Sequence, residues 1–392
     1  MLFADAPDRV IGKDEIVRRV WAGRAIGDDT LAAAISKLRT ALGETETERY
    51  IETLPKRGYR LRAGVASDRP ATDTRHDDSE LVRRGTSALR MMFPPALAQA
   101  RLYFEGAIKK NPRRADAHAG VAETMIAQVM MGQGAPASLF SAAKSAARAA
   151  VSLDGSFAAG WSVLGLATLL ADRDFSAADE ALQRALALDA GLGEAHRNRS
   201  FALASIGRFA DAEREARRAV EIEPLSLSAR NDLVQTLIAA RRYGHAVEEA
   251  RRTIALGAES FQAWAAKGWA HAFLGEEKDA VASLLESLKA MGTDEATIAG
   301  LSRAHADGGL QSLYAAGADL FERQRVLFTP RPLDIAMLRT QAGQLDAAFA
   351  ALDRAAELGD PVLLLAPYLP HLDRLRNDPR FPSLLERVRL VY

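Results

Sequence analysis

The chain has no cysteine in its 392 residues. That absence removes disulfides, thiolate nucleophiles and cysteine-ligated zinc together, and it suits a reducing compartment. No charge of one sign is in excess either. The 51 lysines and arginines face 51 aspartates and glutamates, so no global field draws the chain to nucleic acid or membrane, and any such attraction must be local. The N-terminus lacks the charged-then-apolar pattern of a secretory leader. Long apolar runs are scarce. Gly155 to Ala171 carries no charge, but it barely reaches spanning length and is interrupted by Gly155, Gly160 and Gly165. No membrane contact is expected, and a cytoplasmic location follows.

Chemistry-bearing motifs are missing as well. The histidines His76, His118, His196, His245, His271, His305 and His371 stand singly. No pair has the i, i+4 spacing of a helical metal site, and no His-Glu-x-x-His, nucleophile elbow or dinucleotide fingerprint occurs. The glycine-rich Gly132-Gln133-Gly134-Ala135-Pro136 has neither a preceding strand nor a following Lys-Ser or Lys-Thr, so it is no phosphate loop. Carboxylates sit beside arginines at helical spacing, as Glu213 does with Arg217, where solvated pairs add only about 0.2–0.5 kcal/mol each. The expectation is a protein that is not an enzyme and uses no cofactor or metal.

What is present is a repeat. From Gly193 to Pro224 two amphipathic helices follow each other. Ala195, Phe201, Leu203 and Ile206 mark the first, with Gly207 near its end. Phe209, Ala212, Ala216, Ala219, Val220 and Ile222 mark the second. One such hairpin cannot bury both its apolar faces. Leu153, Leu188, Ile222 and Leu256 close successive units at a spacing of 34 or 35 residues, and Trp161-x-x-Leu164-Gly165 carries the tetratricopeptide pattern. The fold class is therefore expected to be all-α, a right-handed tetratricopeptide solenoid over residues 80–392. Its hairpins begin at 81–110 and 115–153. Units then run near 157–189, 193–224, 227–258 and 261–292, residues 293–330 are degenerate, and the phase returns with Gly343, Leu345, Ala348, Leu352 and Leu358. His371 to Tyr392 holds Asp378-Pro379-Arg380-Phe381, which resembles the closing cap of bacterial tetratricopeptide proteins. That segment should cap the array.

Repeat phase also places a groove. The first helix of each tetratricopeptide unit lines the concave side, which directs Arg197, Phe201, Asn231, Gln235, Trp269 and Phe273 inward. Amides can bond an extended backbone and aromatic rings can receive apolar side chains, so a protein or peptide partner is expected there. The paired Lys and Asn positions of the chaperone-tail carboxylate clamp are not matched.

Residues 1–63 do not share the repeat, and 64–79 reads as a polar linker. A first helix covers about Lys13 to Trp21, with Ile16, Val17 and Val20 inward. A second, capped by Asp28 or Asp29, puts Leu31, Ile35, Leu38 and Leu42 on one face and ends at Gly43. Tyr50 to Leu54 and Tyr59 to Arg62 read as strands around Pro55-Lys56-Arg57-Gly58. Lys56, Arg57, Arg60 and Arg62 cluster with no acid among them, a local footprint that phosphates favour.

Lys13-Asp14-Glu15-Ile16, Val20-Trp21, Asp29-Thr30-Leu31, Ile35-Ser36-Lys37-Leu38-Arg39, Ala41-Leu42-Gly43, Tyr50-Ile51-Glu52-Thr53-Leu54 and Arg57-Gly58-Tyr59-Arg60-Leu61 together resemble the OmpR-type winged-helix domain. The resemblance implies binding to double-stranded DNA. Thr30, Ala33, Ser36, Lys37, Arg39 and Thr40 would face the major groove, and Lys56, Arg57 and Arg60 would serve in the wing. In that family a four-stranded sheet and a complete first helix precede the equivalent of Val10, whereas this sequence opens at what looks like that helix's last turn. Ile16, Leu31, Ile35 and Leu38 are thus expected to lack part of their cover, at about 1.5–3 kcal/mol for each exposed side chain. The functional expectation is a cytoplasmic bacterial transcriptional regulator. It resembles activators that join an OmpR-type domain to tetratricopeptide repeats, with RNA polymerase as a further partner. The alternative is an interaction scaffold whose winged helix no longer binds DNA.

Overall fold

The computed structural model describes residues 10–13, 15, 16, 31, 35, 39, 51–54, 57–61, 78–91, 94–257, 260–323, 330–388 and 390. It divides into two units, Met1–His76 and Asp77–Tyr392, each with its own hydrophobic core.

In the first unit β1 (Val10–Ile11), β2 (Ile51–Leu54) and β3 (Gly58–Leu61) form an antiparallel sheet in the order β1-β3-β2. The β2–β3 hairpin is the one the sequence predicts. β1 is not legible there, because two residues are too few to show a strand's alternation. Gly58 makes the three-stranded arrangement possible. Its φ is +124°, and a Cβ at this position would collide with the Ile11 carbonyl of β1. Only glycine tolerates both demands.

Ile11, Ile16, Leu31, Ile35, Ile51 and Tyr59 form one buried cluster. Ile16 and Leu31 are each 2% exposed and Ile35 4%. The expected shortfall of cover is therefore not found at these three. Ile11, Ile51 and Tyr59 project from the sheet onto the helical side chains and exclude water from them. Leu38 lies outside the described residues.

The second unit is a stack of helical hairpins. They are α1 (Asp78–Arg90) with α2 (Pro94–Lys110), α3 (Ala115–Met130) with α4 (Pro136–Leu153), α5 (Ala158–Asp172) with α6 (Phe175–Leu188), and α7 (Gly193–Ala204) with α8 (Phe209–Ile222). They continue as α9 (Leu227–Ala239) with α10 (Tyr243–Leu256) and α11 (Phe261–Leu274) with α12 (Glu277–Ala290). After them come α13 (Glu295–Arg323), α14 (Pro332–Gln341) and α15 (Leu345–Leu358). The 3₁₀ turns Pro361–Leu365 and Pro370–Leu375 then lead to α16 (Arg380–Arg387).

Local chemistry sets these boundaries. The carboxylate of Asp174 accepts the Ala177 N–H at 3.0 Å, and the hydroxyl of Ser226 accepts that of Ala229 at 3.2 Å. Each satisfies one of the donors that a first turn leaves open. Within hairpins the helices meet through methyl groups. Ala178, Ala185, Ala212, Ala216, Ala219, Ala246 and Ala250 are each fully buried. Among the described residues no helix is long and apolar enough to cross a membrane.

A backbone mark records the repeat more sharply than the side chains do. Positive φ recurs at Arg173, Gly207, Arg241, Gly275, Gly309 and Gly343, with values of 58°, 76°, 60°, 78°, 65° and 76°. Successive members of this series are 34 positions apart. Gly309 belongs to α13, which is broken by non-helical backbone at Gly308 and Gly309. The helix Glu295–Arg323 thus carries this backbone mark in phase at Gly309. Its side chains have drifted from the repeat pattern while the glycine that makes the break remains.

The closing segment packs on the last hairpin, and it also does more. Arg380 bonds Asp346 at 2.8 Å and lies over the Phe349 ring, while Arg387 pairs with Asp353. Residues further back in the segment meet much earlier units. Leu365 packs against the cluster of Leu203, Ala204 and Ala212, as Phe175 and Phe209 do, and Tyr368 meets Phe209 edge-on at 5.5 Å. Leu363, Leu372, Leu375 and Phe381 are fully buried. The segment is core as well as cap.

Candidate nucleic-acid interface and partner groove

Of the predicted DNA contacts, Arg39, Arg57 and Arg60 are described. Thr30, Ala33, Ser36, Lys37, Thr40 and Lys56 lie outside the described residues. Arg39 belongs to a helical segment, and its guanidinium is turned to the sheet. Nη2 donates to the Ile51 carbonyl at 2.8 Å and to the Thr53 hydroxyl at 2.7 Å. A fork of fixed N–H groups spanning a carbonyl and a hydroxyl locks helix to strand. Arg60 donates to Glu52 at 2.6 Å, directly across the β2–β3 ladder. Arg57 sits exposed in the hairpin turn, where its own N–H closes the turn on the Leu54 carbonyl at 3.0 Å. So Arg39 and Arg60 brace the structure, while Arg57 presents its charge to solvent.

In the array the predicted groove residues divide in two. Arg197 of α7 donates through Nε to Asp232 of α9 at 2.7 Å, tying adjacent inner helices. Asp232 holds the guanidinium above its ordinary range. Asn231 is half-buried, with its Oδ1 enclosed and unbonded among the described residues. Gln235 is exposed, and Phe201 rests against the main apolar core.

Trp269 and Phe273 are placed differently. Trp269 stacks on Tyr314 at 4.9 Å and meets the edge of His371 at 4.6 Å. Phe273 lies 4.9 Å from His371 and 5.1 Å from Tyr243. These two rings are therefore packed under the chain's own closing segment instead of standing open to a ligand. His371 itself is buried, and both ring nitrogens lack a partner among the described residues. Burial pushes its pKa down to about 3, against the weaker pull of Asp334 and Asp373.

Sequence reasoning passed over two acids. Glu123 stands eight residues into α3, the place Phe201 holds in α7. Glu194 opens α7. Burial raises both carboxyl pKa values; each also feels another carboxylate, Glu123 from Glu194 and Glu194 from Glu223. Arg197 opposes the rise at both, Arg90 also opposes it at Glu123, and the Asn198 amide helps to hold Glu194. Asn198 also donates to the Ser162 hydroxyl at 3.0 Å, joining α7 to α5. Counting Glu123 at the inner-helix phase would have found the first acid. Its nearness to Glu194, two hairpins on, is a product of the stack.

For metals, His271, Glu276 and Asp279 bring ligand-type atoms within 4.8 Å of one another. His271 Nδ1 is already bonded to Glu276 at 2.5 Å across the turn between α11 and α12, and both acids are exposed. This arrangement braces a turn.

Residues 1–61 match the family described as transcriptional regulatory protein, C terminal. Over 67 residues the chain is 40% identical to the cholera toxin transcriptional activator of Vibrio cholerae serotype O1, covering 16% of this chain and 23% of that protein. It is 33% identical over 67 residues to the transcriptional activator CadC of Escherichia coli K12, covering 17% and 13%. The chain thus spans about a quarter or less of the length of these curated relatives. A solved thermophilic TPR protein of Thermus thermophilus aligns with 49% of this chain and 98% of its own, at 19% identity and a TM-score of 0.42. Residues 1–61 are thus similar to the C-terminal domain of transcriptional regulatory proteins, and they are followed in the same chain by a helical-hairpin array with tetratricopeptide phase.

Proposed function

We propose that the chain is a cytoplasmic DNA-binding transcriptional regulator whose repeat array receives a protein or peptide partner in its inner groove. The observation that carries this reading is the wing. A glycine-dependent turn holds Arg57 exposed, next to a domain whose core is closed and whose helix is tied to the sheet by Arg39. An exposed guanidinium on a rigid turn can neutralise a phosphate and release its counterion. Base reading would fall to the helical positions that the family resemblance assigns, Lys37 among them, and RNA polymerase would be a further contact of the bound complex.

The test is a titration of the full chain against promoter fragments at two salt concentrations. Binding should weaken steeply with salt. Arg57→Ala should lower affinity for every duplex alike and flatten the logarithmic salt slope by about one. If the unaltered chain shows no salt-dependent binding, the regulator reading fails and an interaction scaffold remains.

A further inference from the structure

The closing segment lies along the array as a bound peptide would. Gly359 comes against Pro136 of α4, where a Cβ on the glycine would stand 3.5 Å from the proline Cβ. Leu365 reaches the cluster of Leu203, Ala204 and Ala212. Tyr368 meets Phe209 and fills the space beside Gly207, where a Cβ would stand 2.9 Å from the tyrosine ring. His371 then lies against Trp269 and Phe273, and Asp373 pairs with Arg241. Between Gly359 and Asp373 the chain thus passes from the second hairpin to the fifth and sixth. Crossing successive hairpins is how an extended segment uses a repeat array.

This internal occupant fits unevenly. Leu372 is fully buried. The His371 ring beside it is 3% exposed, yet neither of its nitrogens has a hydrogen-bond partner among the described residues. An apolar side chain would fill the same aromatic enclosure and leave no polar atom unpaired, which avoids a cost that the histidine bears. At Asp373 the Arg241 fork takes both carboxylate oxygens, but the pair is partly open to water, so another carboxylate can reach it. Trp269 and Phe273 also stay only half-buried beneath the segment. The segment's backbone is held from its other side. Gln341 of α14 donates to the His371 carbonyl at 2.7 Å, and Arg374 donates to the Gln341 carbonyl at 3.3 Å. What the array itself offers is an aromatic pair beside a guanidinium fork.

We propose that Trp269, Phe273 and Arg241 form a docking site for a partner protein segment with an apolar side chain in the place of His371, leucine next and a carboxylate in the place of Asp373, and that the closing segment is the internal occupant which this partner displaces. The proposal rests on the reading of the array as a partner-binding groove and names the chemistry of that partner. The unpaired histidine then has a use, because it keeps the internal occupant weaker than the partner.

The experiment uses the full chain and fluorescein-labelled nonapeptides in anisotropy titrations. One peptide copies residues 368–376. A second has leucine in the place of His371, and a third, built on the second, has asparagine in the place of Asp373. The leucine peptide should bind the parent chain at least about tenfold more tightly than the copy. The asparagine peptide should bind about fivefold more weakly than the leucine peptide, as loss of a half-open ion pair requires. The His371→Leu chain, whose internal occupant is improved, should bind the leucine peptide at least about tenfold more weakly than the parent does. The Asp373→Asn chain, whose occupant is loosened, should bind it more tightly. Equal binding of the leucine peptide by all three chains places it elsewhere and overturns the proposal, leaving the groove reading intact. If the chains stay monomeric, bind DNA and take none of the peptides, both readings fail. If the Asp373→Asn chain dimerises with rising concentration and takes no peptide, the occupant is the closing segment of a second copy, which also overturns the proposal.

Discussion

Arg241 and Asp373 are 132 positions apart in sequence and meet as a bidentate ion pair, Nη1 and Nη2 each 2.7 Å from a carboxylate oxygen. The pair joins the turn between α9 and α10 to the closing segment. Arg241 also occupies one of the left-handed turn positions, at φ 60°, where a side chain costs roughly 1–2 kcal/mol. Two opposed effects therefore sit on one residue.

That opposition can be measured. The pair is partly exposed on both sides, and Asp373 also pairs with Arg376 at 2.8 Å, so Asp373→Asn, which weakens both pairs, should cost no more than about 2 kcal/mol. Arg241→Gly removes the same pair but relieves the backbone, and should be close to neutral. Urea unfolding of both variants checks this. A loss above about 2 kcal/mol for Arg241→Gly would show that the ion pair, and not the turn, dominates.

His371 predicts acid sensitivity. Its folded pKa of about 3 lies below the ordinary value of 6.5, so the folded state resists a proton that the unfolded chain accepts. Stability is complete above about pH 6.5 and is lost progressively as pH falls toward 3. Between pH 7 and pH 5 the loss from this one group is about 2 kcal/mol, at about 1.4 kcal/mol for each pH unit below 6.5. Asp334 and Asp373 are the charged neighbours and temper the effect. His371→Leu should flatten this part of the pH profile in denaturant titrations at the two pH values. An unchanged profile would assign the acid sensitivity to other groups.

Arg39 predicts a separation of roles. Because its guanidinium ties helix to strand, Arg39→Ala should destabilise the N-terminal unit by about 1–3 kcal/mol and weaken binding to all duplexes alike. A base-reading arginine would instead change which sequence is preferred. Binding selections on randomised duplexes, run beside thermal unfolding, distinguish the two. A shifted preference with unaltered stability would return Arg39 to the major groove.

Much of this molecule is legible from its residues because its governing rules are local. The 34-residue phase, the helix boundaries at Asp174 and Ser226, the alanine-lined hairpins and the β2–β3 turn all depend on residues within a few positions of one another. The same locality explains the failures. β1 is two residues long and acquires meaning only beside β3. Residues 293–330 read as degenerate because their side chains depart from the pattern, while Gly309 keeps the turn.

The sequence by itself determined a winged-helix segment, a repeat array and the phase that points one face of each inner helix to a groove. Only the tertiary structure decided how that groove is used. Small rotations between hairpins add up along the stack, and their sum carries His371 onto Trp269. No single unit encodes that sum. It likewise took the packed fold to show that Arg39 faces its own strand while Arg57 faces solvent, since a guanidinium's reach exceeds what helical spacing alone can assign.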